Sequence, residues 1–284
     1  LTSIRLRKYS IDLIIDLIKK ANLLSGKKKS EGVYKKDFSK NEIFSNNIKL
    51  KNISFNYGTD KKVAVNNINI DIAKGKSVGL IGKSGSGKST LVDIIIGLLE
   101  PSTGEILIDD NNIGTKKISW QKQLGYVPQE VYLLDDTIRN NITFGIEKEE
   151  IDEKLLSDVI EKSQLKNLIN SLSNKLDTLI GDRGARLSGG EKQRIGIARA
   201  LYNKPKVIVF DEATSALDIY NENKILKEIY ENKKDKTLII ISHRNNTVKY
   251  CDLIYVMEDG KIIDNGTFEQ IMKKHSYLKE NVVT

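Results

Sequence analysis

The sequence predicts an α/β fold with a mixed core sheet, an antiparallel β subdomain and an inserted helical subdomain. Two runs of apolar, β-branched residues, VIVF and TLIII, are typical of parallel strands that are buried on both faces. Two earlier segments alternate apolar and polar residues, as half-buried antiparallel strands do. Between these two groups lies a long stretch rich in leucine, isoleucine, lysine and glutamate, a composition typical of helices.

The elements can be assigned in order along the chain. IKLKNISFNY and NNINIDIA are the two alternating segments, and SVGLIG is a continuous apolar strand that leads into a glycine-rich loop. GEILIDD is a further strand, and the region from about Asn140 to Lys175 is predicted to be helical. LIYVMEDGKIIDNG is typical of a hairpin that turns at Asp259 and Gly260. We therefore expect residues 47–284 to form one compact unit, with the helical subdomain over about residues 130–203.

Composition limits the class of protein. Apolar residues make up 39% of the chain and charged residues 30%, which suits a globular protein with a real core. No apolar run approaches the roughly 18 residues that a membrane helix needs. The single cysteine, Cys251, excludes an internal disulfide framework and fits a reducing compartment. Because the chain starts at Leu1 and shows no signal peptide, we expect it to be a piece of a longer protein.

The basic charge of the chain is concentrated at its N-terminus. Residues 1–40 hold 11 lysines and arginines against 4 aspartates and glutamates, whereas the rest of the chain holds 35 against 34. A basic surface spread over the whole domain would suggest nucleic acid, so we expect no nucleic-acid partner. A short basic segment indicates either a solvated tail or a stretch beside the cytoplasmic face of a membrane.

Residues 1–46 are predicted to form an amphipathic helix followed by a linker. Isoleucines recur at helical spacing from Ile11 to Ile18, and Ser10 can cap the helix. SGKKKSEGVYKKD, over residues 25–37, has the composition of a linker. The helix either packs on its own domain or continues from a missing transmembrane domain.

A glycine-rich loop follows the third strand. GKSGSGKS fits the pattern G-x-x-x-x-G-K-[ST] between a strand and a helix, the context in which this pattern binds phosphate. Glycines let backbone N–H groups surround phosphate oxygens, and the positive end of the following helix adds to the attraction. Lys88 is expected to reach the outer phosphates and Ser89 to offer its hydroxyl to Mg²⁺. The predicted nucleotide-binding residues here are Gly82, Lys83, Ser84, Gly85, Ser86, Gly87, Lys88, Ser89 and Thr90.

Acidic and basic side chains end the buried strands. Asp211 follows VIVF and is expected to hold Mg²⁺ through water, whereas Glu212 points elsewhere and can act as the general base toward an attacking water. His243 ends the next strand. Because the carboxyl ends of parallel strands meet at one edge, His243 should lie beside Glu212 and sense the γ-phosphate. Glu212, His243 and Lys88 are the predicted catalytic residues.

A second glycine-led helix lies in RLSGGEKQRIGIARAL. Its start, at Ser188, Gly189 and Gly190, is typical of a helix N-terminus that holds an anion. A mostly helical stretch separates these residues from the core sheet, so they cannot easily reach the nucleotide of their own chain. We therefore expect them to bind the ATP of a second copy, with two copies facing head to tail around two ATP molecules.

These motifs, in this order, resemble the nucleotide-binding domain of ABC (ATP-binding cassette) transporters over roughly residues 47–275. They are the phosphate loop, LSGGE at Leu187–Glu191, VIVFDE, SALD at Ser215–Asp218, and His243. The resemblance implies the ABC ATPase variant of the phosphate-loop NTPase fold, with ATP and Mg²⁺ as ligands. Glu191 stands where many members of the family have glutamine.

The resemblance also implies roles for single residues. Tyr57 matches the aromatic residue that stacks on adenine. Gln129, in YVPQE, matches the glutamine that contacts Mg²⁺ and reports nucleotide state to the membrane part, so the implied metal residues are Ser89, Gln129 and Asp211. Asp218 matches the residue that communicates between the two nucleotide sites.

Two further segments resemble exporters of this family. IGDRGARLSGG resembles the segment that contacts the membrane domain, with Asp182 where glutamate is common, and DDTIRNNITFG also has exporter character. The resemblance implies an ATP-hydrolysing motor at the cytoplasmic side of the cell membrane, partnered by a second copy and by a transmembrane domain. A looser resemblance points to exporters of lipid-linked oligosaccharides or polysaccharides.

Three alternatives remain at this point. The chain could be the ATPase subunit of an importer, although the N-terminal helix and GDRG favour an exporter. It could be a soluble ABC ATPase that acts on nucleic acid, although it has no sustained heptads and its basic excess lies outside the cassette. It could be a degenerate, non-enzymatic cassette, although Lys88, Asp211 and Glu212 are all intact.

Overall fold

A computed structural model describes residues 44–58, 63–214, 216–231 and 236–275 of the chain. The predicted N-terminal helix and linker lie outside these residues, except for the last three positions before Asn47. Phe44, the first of these three residues, is fully buried and packs edge to face against Trp120, with 5.9 Å between the ring centroids. Among the described residues, no helix combines the length and apolarity that a membrane span requires.

An antiparallel sheet forms the first layer. Its strands are β1 (Asn47–Asn56), β2 (Val63–Ala73), β4 (Thr103–Ile108) and β5 (Asn111–Asn112), in the order β2-β1-β4-β5. The two alternating segments pair as predicted, with Leu50 opposite Ile70 and both side chains buried. The predicted antiparallel β subdomain is therefore confirmed.

The second sheet is mixed and lies at the centre of the fold. It contains β3 (Ser77–Ile81), β6 (Leu124–Val127), β7 (Val207–Asp211), β8 (Thr237–Ile241), β9 (Leu253–Glu258) and β10 (Lys261–Gly266), in the order β10-β9-β3-β8-β7-β6. All neighbours are parallel except β9 and β10, which form the predicted hairpin. Both faces of the sheet are covered, since Ile208 and Phe210 join one hydrophobic cluster while Val207 and Val209 join the other.

Helices lie around this sheet and in the inserted subdomain. Their bounds are α1 (Lys88–Ile95), α2 (Lys117–Gln121), α3 (Ile138–Ile142), α4 (Glu153–Lys162), α5 (Lys166–Ser171), α6 (Gly189–Tyr202), α7 (Ile219–Glu231), α8 (Asn245–Val248) and α9 (Phe268–Lys274). The helical region predicted over 140–175 is present, but it is divided into short helices. Gln164, between α4 and α5, adopts a left-handed backbone conformation with φ of 57°, and an α-helix does not continue through such a residue.

Candidate active site

The phosphate loop joins the end of β3 to the start of α1, and tertiary contacts require glycine at two of its positions. Gly82 and Gly87 have φ of 152° and 98°. A Cβ atom would lie 2.1 Å from the carbonyl oxygen of Met257 at Gly82, and 2.3 Å from that of Ala64 at Gly87. The loop is therefore pressed against two other strands, and its backbone path depends on the missing side chains.

Replacing Gly87 with alanine should disrupt this loop. The new methyl group must displace the backbone at Ala64, so we expect a loss of on the order of 3 kcal/mol in unfolding free energy and at least tenfold weaker ATP binding. Gly85→Ala is the matched control, because Gly85 also has a positive φ of 76° but its Cβ would meet no atom within 4 Å. Denaturant unfolding and titration with a fluorescent ATP analogue measure both effects. Equal losses in the two variants would contradict the steric argument.

Lys88 lies across the inside of the loop. Its ammonium donates hydrogen bonds to the carbonyl oxygens of Gly82 and Lys83, each at 2.9 Å. Burial lowers the pKa of Lys88, while the nearby negative charges of Glu212 and Asp211 act in the opposite direction. The structure thus places a buried cation where the phosphates of a nucleotide would need charge compensation.

Asp211 and Ser89 meet beside the loop. The Ser89 hydroxyl donates to Oδ1 of Asp211 at 3.4 Å, and the Tyr126 hydroxyl donates to Oδ2 at 3.5 Å. Burial, and then the charge of Glu212, raises the pKa of Asp211. A divalent cation would offset this crowded negative charge, and Mg²⁺ commonly uses one or two protein oxygens together with water and phosphate. The hydroxyl and carboxylate present therefore fit Mg²⁺.

Glu212, His243 and Gln129 come together at the carboxyl edge of the sheet. Oε1 of Glu212 lies 2.5 Å from Nε2 of His243, and Oε2 accepts a hydrogen bond from Nε2 of Gln129 at 3.1 Å. Glu212 has a φ of 49°, an unfavourable conformation for a residue with a side chain, and such strain is concentrated at functional sites. Each oxygen of the Glu212 carboxylate therefore has one side-chain partner.

These groups line a cavity of about 760 Å³. The predicted residues that line it are Tyr57, Ser84, Gly85, Gly87, Lys88, Ser89, Thr90, Gln129, Glu212 and His243. Tyr57 is 54% exposed, and its hydroxyl lies 3.1 Å from the Thr90 hydroxyl, so its ring is accessible at one end of the cavity. Gly82, Lys83 and Ser86 shape the loop without lining the cavity.

Four lining residues were not predicted as site residues. Val63 and Ala64 begin β2, and Asp259 and Gly260 form the turn between β9 and β10. The amide of Gly260 donates to the Ser86 carbonyl at 3.1 Å, which fastens the hairpin turn to the phosphate loop. The turn itself was predicted, but no pattern in the sequence around it indicates a contact with a loop that lies far away along the chain.

The second glycine-led helix begins where predicted but lies outside this cavity. Ser188 caps α6: its hydroxyl accepts from the Glu191 amide at 3.3 Å, and its own amide donates to the Glu191 carboxylate at 2.7 Å. Gly189 and Gly190 form the first turn and pack near Ala216. The structure does not bring these three predicted residues to the nucleotide cavity of the same chain.

Asp218 also lies outside the cavity lining. Its carboxylate caps α7, where Oδ1 accepts from the Asn221 amide at 3.0 Å and Oδ2 from the Asn221 side chain at 2.6 Å. The cap fixes the end of the loop that precedes α7. Its predicted part in communication between two nucleotide sites stays a prediction.

Arg199, near the end of α6, ties that helix to the segment after Gln129. The guanidinium donates to the carbonyl oxygens of Asn141 at 2.7 Å and Tyr132 at 2.9 Å, and to the Asn141 side chain at 3.0 Å. Asn141 in turn donates to the Leu134 carbonyl at 3.1 Å. A displacement of α6 would therefore be passed to the segment that carries Gln129.

Three comparisons with known proteins identify the same family. The family described as ABC transporter matches residues 65–215. The alpha-hemolysin translocation ATP-binding protein HlyB of Escherichia coli O157:H7 is 41% identical over 235 residues, which cover 81% of this chain. ATP-binding cassette sub-family B member 5 of Mus musculus is 39% identical over 235 residues, or 82% of this chain.

A solved structure, described as that of a bacterial Atm1-family ABC exporter with ATP bound, also resembles this chain. The TM-score is 0.82 at 30% sequence identity, and the match covers 94% of this chain and 47% of that one. The chain spans 33% of the length of the HlyB relative and 19% of the mouse relative. These relatives are thus considerably longer than the segment that they share with this chain.

Proposed function

The chain belongs to the ABC transporter family as the ATPase domain of its exporter type, and we propose that it drives export by closing on a second copy around two ATP molecules. The observation that carries this proposal is the separation of two anion-binding helix ends. One lines the nucleotide cavity at Lys88, whereas the other, at Ser188, lies outside it. In a symmetric dimer, the helix end at Ser188 of each chain would complete the nucleotide cavity of its partner.

Within one chain, the cavity would hold ATP along its length. The exposed ring of Tyr57 would stack on adenine, and Val63 and Ala64 would pack beside the nucleoside. The phosphate loop and Lys88 would hold the phosphates. In the dimer, Ser188 and Gly190 of the partner chain would cover the outermost phosphate with the positive end of α6.

Mg²⁺ would be held by Ser89, Asp211 and Gln129 together with phosphate oxygens. Bound there, it would neutralise charge that develops on the phosphates during the reaction. Of these protein groups, Ser89 and Asp211 are already in contact. Gln129 lines the same cavity as Ser89, and its side-chain amide is hydrogen-bonded to Glu212.

For hydrolysis, Glu212 would take the proton from the attacking water. Its carboxylate is held between His243 and Gln129, so its direction is set before a water arrives. His243 would contact the γ-phosphate and keep Glu212 aimed at the water. Lys88 would balance the charge of the outer phosphates throughout.

Movement would reach the membrane part through the helical subdomain. When Ser188 engages the partner's nucleotide, α6 moves, and the Arg199 contacts carry this movement to the segment beyond Gln129. Asp182 lies six residues before the α6 cap, within a short 3₁₀ helix, and would contact the transmembrane domain.

The domain would work at the cytoplasmic face of the membrane. The relatives whose names state a direction name translocation or export, which favours an exporter over an importer. HlyB is named for alpha-hemolysin and LtxB of Aggregatibacter actinomycetemcomitans for leukotoxin. The cargo would be set by a transmembrane domain, so these names and the looser likeness to lipid-linked saccharide exporters leave several substrate classes to test.

The ATPase rate of the chain should depend on its concentration. If each site needs a second copy, the rate per chain should rise with protein concentration and level off once dimers dominate. Phosphate release from the 284-residue chain with Mg²⁺ and ATP, measured alongside light scattering, tests this. A constant rate per chain across concentrations at which the protein is monomeric would overturn the shared-site proposal.

A further inference from the structure

A buried carboxylate is hydrogen-bonded to the segments that carry Glu212 and His243. Glu222, in the first turn of α7, is 1% exposed. Its Oε1 accepts hydrogen bonds from the hydroxyls of Thr214 at 2.6 Å and Thr247 at 2.8 Å. Its Oε2 accepts from the Arg244 guanidinium at 3.0 Å. Both carboxylate oxygens are therefore engaged by donors from other elements.

The donors belong to the segments that carry the catalytic residues. Thr214 follows Glu212 by two positions, and Arg244 follows His243 directly. The Arg244 guanidinium also donates to the Leu217 carbonyl at 3.3 Å, in the loop that leads to Asp218. One carboxylate thus joins the β7–α7 loop, which carries Glu212, to the segment after β8, which carries His243.

This arrangement is better suited to holding positions than to stabilising the fold. Burying a carboxylate costs free energy that its ion pair only partly returns. The Arg244 side chain is still 42% exposed, so much of its charge remains in contact with solvent. A charged centre that joins two loops at a reaction site fixes their relative geometry, because each of its hydrogen bonds is directional.

We propose that Glu222 is a positioning residue for ATP hydrolysis, an inference that rests on the proposed function. Through Thr214 and Arg244 it holds Glu212 and His243 at their 2.5 Å separation, and the contact of Arg244 with the Leu217 carbonyl fixes the loop that carries Glu212 at a second point. Glu222 itself does not line the cavity. It therefore acts on the reaction only through its neighbours.

Glu222→Gln tests the inference, because glutamine keeps the size of the side chain but loses its charge. We expect kcat to fall about tenfold to a hundredfold, since misplacement of a catalytic group by about 1 Å can have that effect. The KM for ATP should change by less than about threefold, because the binding groups are untouched. Glu231→Gln, the same change at an exposed position on α7, is the matched control and should leave both constants unchanged.

A double-variant comparison separates positioning from general damage to the fold. In a His243→Ala background, Glu222→Gln should reduce kcat by less than about twofold, because Glu222 is proposed to set the separation between Glu212 and His243 and that pair no longer exists. If Glu222→Gln lowers kcat by the same factor in this background as in the parental chain, the inference is overturned. If Glu222→Gln does not fold, Thr247→Val is the second test, because valine has the shape of threonine but cannot donate the hydrogen bond to Glu222. We expect this variant to lower kcat by a smaller factor, and to lower it little further in the His243→Ala background. An active parental chain with an unaffected Glu222→Gln variant would contradict this inference alone, whereas an inactive parental chain would contradict the proposed function.

Discussion

Replacing Glu212 with glutamine is expected to slow ATP hydrolysis by about 10³-fold while leaving ATP binding intact, because a general base contributes a factor of this size. Glutamine has the shape of glutamate and can still meet Gln129 and His243, but it cannot accept a proton from water. The phosphate loop and Tyr57 are unchanged, so the affinity for ATP should stay within about threefold of the parental value. Single-turnover phosphate release and equilibrium ATP binding measure the two quantities separately.

The same variant should accumulate as a dimer. Because hydrolysis would be the step that reopens the ATP-bound pair, a chain that binds ATP but cannot cleave it should remain closed. Size-exclusion chromatography with Mg²⁺ and ATP, run beside the parental chain, detects this shift. Glu105→Gln, the same change at a residue of β4 that does not line the cavity, should behave like the parent. If Glu212→Gln hydrolyses ATP at the parental rate, its assignment as the base is wrong.

Two inactive variants should restore activity when they are mixed. Lys88→Ala loses the buried cation of the phosphate loop, and Ser188→Arg blocks the start of α6, so each alone should lose at least about 10²-fold in rate. In a mixed dimer, however, the intact loop of the Ser188→Arg chain faces the intact Ser188 of the other chain. Random pairing gives half mixed dimers with one complete site of two, so recovery of up to about a quarter of the parental rate is expected.

This mixing experiment has a direct structural control. Ser188→Arg also removes a helix cap, at about 1 kcal/mol. Thr267→Arg removes the equivalent capping box from α9, away from the cavity, and should leave the rate at the parental level. A mixture that stays as inactive as its components would show that Ser188 serves the nucleotide of its own chain.

The meeting of Glu212 and His243 at the carboxyl edge of the sheet could be predicted because it follows from local sequence and one rule of topology. Continuous apolar runs indicate buried parallel strands, and the carboxyl ends of such strands lie together. That rule alone places Glu212 and His243 side by side, and their side chains are in contact in the structure. The phosphate loop was predictable for the same reason, since its pattern lies between a recognisable strand and helix.

The rest depends on packing between distant parts of the chain. Val63, Asp259 and Gly260 line the cavity because β2 and the β9–β10 turn are folded against the phosphate loop, a contact that no local pattern encodes. Glu222 has the same origin, since its donors come from two separate segments, one after β7 and one after β8. The break in the helical subdomain at Gln164 was missed because neither glycine nor proline marks it.

The central position of β3 has a consequence for how the protein is made. The strand that presents the phosphate loop pairs on one side with β8 and on the other with β9, and both lie near the end of the described chain. During synthesis, the loop therefore emerges from the ribosome long before the strands that hold it in place. A nascent chain halted before Leu253 lacks one neighbour of β3 and the turn that fastens Ser86, so we expect the phosphate loop to be held in place only after translation has passed the β9–β10 hairpin.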